Sequence, residues 1–135
     1  METKLDLLTK QLNFALIDYK KSLEINITDY SDTVADVIKN GQIQKFEFSI
    51  ELVWKTLKQF LFDVHGIESV SPKQTIRSYF ELGFCSYNEC EELLEAINMR
   101  NRLSHVYKKS LLESVHNSLE EYSELFQSLY IKKPW

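Results

Sequence analysis

The sequence predicts an all-α fold, an up-and-down bundle of four or five helices, and three observations predict it. Three glycines and two prolines in 135 residues are too few to punctuate the turns of an all-β domain. Apolar residues recur at three- and four-residue spacing along most of the chain. Serine–x–x–glutamate starts and glycine stops fall between those stretches at helix-sized intervals. At 44% apolar the chain holds enough material for one core, so residues 1–135 read as a single helical-bundle domain, its core at about 5–130.

In chain order, Leu5, Leu8, Leu12, Leu16, Tyr19 and Leu23 line one face of a first helix over residues 3–25. A connection at 27–31 follows, with Ser31 or Asp32 as the next cap. Residues 33–39 read as helical, and Asn40-Gly41 as a kink or short break. The strongest helix spans 42–65. Phe46, Ile50, Val53, Trp54, Leu57, Phe60, Leu61 and Val64 form one broad apolar face; Phe48, Leu52 and Phe62 form a second, nearly opposite. A helix apolar on two sides is buried on two sides, within its bundle or against a second subunit. Glu51 and Lys55 lie between those faces and read as an i,i+4 surface pair. Gly66 suits a left-handed C-cap, and Ser71-Pro72 starts a helix that stops at Gly83. Ser86 with Glu89 is a capping box for the next helix, and Ser110 with Glu113 a box for one last helix through Leu129. The tail Lys132–Trp135 reads as loose.

Composition excludes several classes. No apolar run approaches the roughly 18 residues of a membrane span, and the N-terminus lacks the regions of a signal peptide. Cys85 and Cys90 have no companions for a metal set and read as reduced thiols of a cytoplasmic protein. A net charge of −4 argues against a general nucleic-acid coat. Three separated histidines without ligand spacing predict no metal site. His65 is placed at a helix C-terminus and His116 on a solvated face. No cofactor is expected.

The densest chemistry lies in Met99–Tyr107. On a helix, the apolar row Leu93, Ile97 continues as Arg100, Ser104 and Tyr107, and the neighbouring row runs from Leu94 to Asn101 and His105. A face that begins as core ends as polar groups, which are costly to bury unless partnered or used. Four bases and no acid occupy 96–112 (Arg100, Arg102, Lys108, Lys109), behind Glu89, Glu91, Glu92 and Glu95. Dipole matching along one helix accounts for that charge pattern, though not for the histidine, amide and phenol. Arg100 and His105 suit phosphodiester chemistry. The imidazole can move a proton and the guanidinium can hold a pentacoordinate phosphate, with Asn101 orienting either. One histidine supplies one of two proton transfers, so a symmetric dimer would complete such a site. A structural hydrogen-bonding role for the same pair is the competing reading.

Arg100-Asn101-x-x-x-His105-x-Tyr107 resembles the Arg-x4-His-x-Tyr signature of HEPN domains, nucleotide-associated four-helix bundles. The segment 46–58, with its Phe-Glu and Trp-Lys pairs, resembles one branch of them, the nucleotidyltransferase substrate-binding proteins; Ser71-Pro72-Lys73, Arg77 and Gly83-Phe84 also fit. The resemblance covers about residues 5–130. It implies a homodimer with two Arg-Asn…His motifs facing a shared cleft, and a separately encoded minimal nucleotidyltransferase as partner. It further implies substrate-binding positions at Arg100, Asn101, Ser104, His105 and Tyr107, taking a nucleotide, RNA or another polar substrate. In the related toxins the bundle is a metal-independent RNase using Arg100 and His105 equivalents, silenced by AMP addition to the tyrosine matching Tyr107. Two functions follow as expectations: a binding or regulatory subunit of a nucleotidyltransferase system, or an RNase toxin.

Overall fold

The chain begins at α1 (Lys4–Leu23), where the Thr3 hydroxyl accepts from the Asp6 amide and the Asp6 carboxylate answers the Thr3 amide, a complete capping box. In this computed structural model, which describes residues 1–105 and 108–135, a 3₁₀ turn at Ile27–Asp29 then leads to α2 (Asp32–His65). Ser31 caps α2 through the Val34 amide, settling the choice between Ser31 and Asp32. Among the described residues the remaining elements are also helices: α3 (Pro72–Glu81), α4 (Tyr87–His105), α5 (Lys109–Asn117) and α6 (Leu119–Ile131).

The expected all-α bundle is present, built round α2, which packs against each of the other helices. Its buried side chains include Ile43, Phe46, Ile50, Val53, Leu57, Phe60 and Leu61. Two aromatic clusters lie along it. Phe46 and Phe126 stack with centroids 6.2 Å apart, Tyr122 packs beside both, and the buried Tyr19 hydroxyl donates to the Leu119 carbonyl. At the other end Phe60 meets Tyr79, Phe84, His65 and Trp135.

Four expectations need correction. First, α2 runs through Asn40-Gly41 as one helix of 34 residues. A mid-helix glycine costs about 1 kcal/mol against alanine, less than burying Ile43 and Phe46 just beyond it, at roughly 1.5–3 kcal/mol each. Second, the last helix is two. Asn117 and Ser118 are poor helix formers, the Ser118 hydroxyl bonds back to the Ser114 carbonyl, and α6 restarts at Leu119. Third, the Ser110–Glu113 box is absent: α5 starts two residues earlier, with Lys108 at the cap position and no side-chain cap. Fourth, the tail is packed. Lys132 pairs with Glu89 at 2.7 Å, Trp135 stacks on Phe60 at 4.8 Å, and the indole N–H donates to Thr9 at 2.9 Å. The other caps stand as expected. Gly66 is left-handed at φ 66°, Ser71 caps α3, and Ser86 and Glu89 exchange both bonds of their box.

Candidate functional site

The second half of α4 moves from core to solvent. Leu93, Ala96 and Ile97 are fully buried, Arg100 is half-buried, and Asn101, Ser104 and His105 are exposed. The apolar stripe that seats α4 therefore stops one turn before the motif. Among the described members of the polar cluster none is fully buried, and Arg100 is the one that pairs with another helix.

That member meets α2. The Arg100 guanidinium donates through Nη2 to Glu51 Oε2 at 2.6 Å, with the two side chains 30% and 24% exposed. Trp54, one turn further along α2, donates its indole N–H to the same oxygen at 3.2 Å. Lys55 holds the other oxygen, Oε1, at 3.3 Å. Lys58 lies 6.0 Å from the Trp54 ring centre. One turn before Glu51, burial pushes the Glu47 carboxyl up, while the nearby Arg100 charge acts to bring it down. A stripe on α2 thus sets two carboxylates and an indole near Arg100, with Lys55 and Lys58 exposed beside them.

The sequence makes Glu51 one half of a surface pair with Lys55. That pair is present, but Glu51 is more than that: it is where the motif arginine docks. The signal lies in its position, between two apolar faces of a helix destined for the centre of the bundle. Glu47 and Glu51 are half-buried there, whereas Lys55 and Lys58 stay exposed.

Of the other sequence candidates, the Ser104 hydroxyl returns to the Arg100 carbonyl at 3.1 Å, a bond within its own helix. Asn101 and His105 stand on the exposed end of α4. Val106 and the candidate acceptor Tyr107 lie outside the described residues. His116, expected in solvent, is half-buried and bonded: its Nε2 lies 2.7 Å from Gln42 Oε1, and Gln42 Nε2 donates to the Ser22 carbonyl at 2.8 Å. Burial, then the charge of Lys39, lowers its pKa from 6.5. Cys85 and Cys90 are free and buried, and burial pushes the Cys85 thiol up to about 12, as expected of inert thiols. Within the described residues no group of three or more His, Cys, Asp or Glu is placed to hold a metal, and no helix is long and apolar enough to cross a membrane.

A second surface feature lies where α2 meets α1. A groove of about 840 Å³ between α1 and α2 is lined by Phe14, Ala15, Gly41, Phe48 and Leu52, and edged by the ion pair of Asp18 with Lys45. Phe14 and Phe48 are 74% and 64% exposed. Of the expected second face of α2, Leu52 is buried beneath the groove, while Phe48 and Phe62 are open.

An all-α bundle, six α-helices among the described residues, with a half-buried arginine–carboxylate site between its central helix and α4 defines the class. A family model for nucleotidyltransferase substrate binding protein-like chains matches residues 9–133, and the protein belongs to that family. Among solved structures it is similar to a crystal structure of a protein from Thermus thermophilus. The two share 28% identity and a TM-score of 0.76 over 87% of this chain and 94% of that one. No curated protein matches.

Proposed function

We propose that this chain is the substrate-binding or regulatory subunit of a two-component minimal nucleotidyltransferase system. Arg100 would be the anchor for a nucleotide or another polar, anionic substrate. The family match over residues 9–133 carries the reading. It is supported by a guanidinium held half-buried beside an indole, the pairing that suits a phosphate with an attached aromatic base. The subunit would work as a homodimer, since Phe14, Phe48 and Phe62 expose more aromatic surface than a bundle leaves bare without use. The partner is a separately encoded transferase, and no cofactor of the chain's own is invoked.

Co-expression with a cognate minimal nucleotidyltransferase tests the reading. A complex that survives size exclusion, and in which Arg100→Met lowers substrate affinity, is the expected result. Two proteins that elute apart at micromolar concentration would count against it. For the dimer, Phe48→Asp should give a monomer by light scattering and Lys39→Asp should not.

One observation favours a second reading, a metal-independent RNase: His105 is exposed on α4 just beyond Arg100, free to meet a backbone phosphate. On that reading Asn101 and Ser104 flank the RNA, and AMP addition to Tyr107 silences the site. Cleavage in EDTA that falls about 10²–10⁴-fold in His105→Ala would establish it; intact protein inert toward RNA would leave the binding subunit alone.

A further inference from the structure

We infer that Glu51 is an internal occupant of the Arg100 anion site, a carboxylate that an incoming phosphate group must displace. The inference rests on the docking reading above and names the step that controls it. A guanidinium recognises carboxylate and phosphate with the same fork of donors, so the two compete for one position. Glu51 Oε2 holds that position now, at 2.6 Å from Nη2. The pair is neither sealed nor fully solvated, with side chains 24% and 30% exposed. Solvent therefore reaches it, and so can a small anion, while the partial burial keeps the contact stronger than an open surface pair.

The surroundings give the carboxylate a second station. Lys55 already holds Oε1 at 3.3 Å and is itself half exposed. When a phosphate takes the guanidinium, Glu51 keeps that ammonium as its counter-charge and need not be left bare. Glu47, close enough for Arg100 to influence its titration, adds a second negative charge that opposes a bound anion. The ligand class is a phosphate monoester, whose charge at neutral pH exceeds that of a carboxylate.

The site contains its own reporter. Trp54 donates to the same Oε2, so the indole loses or changes its acceptor whenever Glu51 moves. The chain has two tryptophans, and Trp135→Phe leaves Trp54 as the single emitter. In that background AMP is titrated against Trp54 emission, with Glu51→Gln, Glu51→Asp and Arg100→Met alongside and circular dichroism as the check on folding. Glu51→Gln should bind AMP about tenfold tighter, the loss of one charge-assisted competitor. Glu51→Asp, which keeps the charge, should stay nearer wild type, and Arg100→Met should lose binding. Separately, phenylglyoxal modification of Arg100, mapped by peptide mass, should accelerate in Glu51→Gln with no nucleotide present. If Glu51→Gln binds AMP no tighter than wild type, the displacement is overturned while docking at Arg100 survives. If Arg100 reacts faster in the variant yet neither protein binds AMP, the docking reading itself fails and takes the displacement with it. Unchanged reactivity and unchanged affinity together would remove Glu51 from any role beyond packing.

Discussion

Two polar groups of residues interrupt the apolar contacts of α2, and they are built on opposite principles. At one end, Gln42 bridges the Ser22 carbonyl and His116, and every polar atom of the amide that is used has a partner inside the protein. Because the carbonyl of Ser22 can only accept, the Gln42 nitrogen must face it. Gln42 Oε1 must then accept from His116 Nε2–H, which places the other imidazole nitrogen in its unprotonated form when the ring is neutral. Further along α2, Glu51 and Arg100 also meet across helices, but with solvent at their backs and with Glu51 shared among three donors. The first arrangement is turned inward, with Gln42 only 4% exposed. The second has a guanidinium with most of its five donors uncommitted to Glu51. Histidine content alone would have chosen the wrong one.

The contrast is sharpest in stability. Gln42→Leu keeps the volume but leaves the half-buried His116 N–H without its partner and the Ser22 carbonyl with only backbone amides of the α1 end, at a cost of about 1–3 kcal/mol. Urea denaturation should therefore show a loss of about 1–3 kcal/mol, the largest stability effect of the substitutions considered. Glu51→Gln should cost about 1 kcal/mol or less, since solvent screens the pair and replaces the lost contact. Equal losses would mean that the second site is structural in the same sense as the first.

The next effect separates the two by pH. His116 has a folded pKa lowered from 6.5, so below that value the unfolded chain binds a proton that the folded chain refuses. Its contribution to stability is complete above about pH 6.5 and declines as pH falls from there toward the folded pKa. Lys39 is the charge that joins burial in lowering it. Stability measured between about pH 7.5 and 5.5, a window that brackets the ordinary histidine value, should fall more steeply in the wild type than in His116→Gln. A His116→Gln curve parallel to wild type would place the imidazole in solvent after all.

Much of this is legible in the sequence, and the losses have definite causes. Helix starts are readable wherever a serine or threonine cap meets its amide within three residues, as at Ser31, Ser71 and Ser86. Arg100 stands out because it breaks an apolar row. Its partner does not, because Glu51 has a lysine four residues on, and the local pair conceals the distant one. His116 reads as solvated because its neighbours in sequence are polar, while its partner Gln42 comes from another helix. Trp135 reads as loose for the same reason: the contacts that hold it, with Phe60 and Thr9, are far away in sequence. Local chemistry reads from local residues; these contacts are set by packing.

The smallest effect tests the outer side of α2, opposite in character to both polar groups. Gly41 adjoins Gln42 in sequence but lines the groove, and a Cβ built on it meets nothing within 4 Å. Its backbone lies within the helix, without the positive φ that would require glycine. Alanine there should stabilise the folded chain by up to about 1 kcal/mol, because it removes conformational freedom from the unfolded state at no steric cost. The chain forgoes that gain, and the groove beside Phe14 and Phe48 offers a reason. An occupant lying against bare backbone, such as a helix of a second subunit, would collide with an added methyl. Gly41→Ala should then raise the denaturation midpoint of the dilute protein while weakening self-association in sedimentation equilibrium. If the midpoint rises and self-association is untouched, the groove is not where two copies meet, and the search for the interface moves to Phe62.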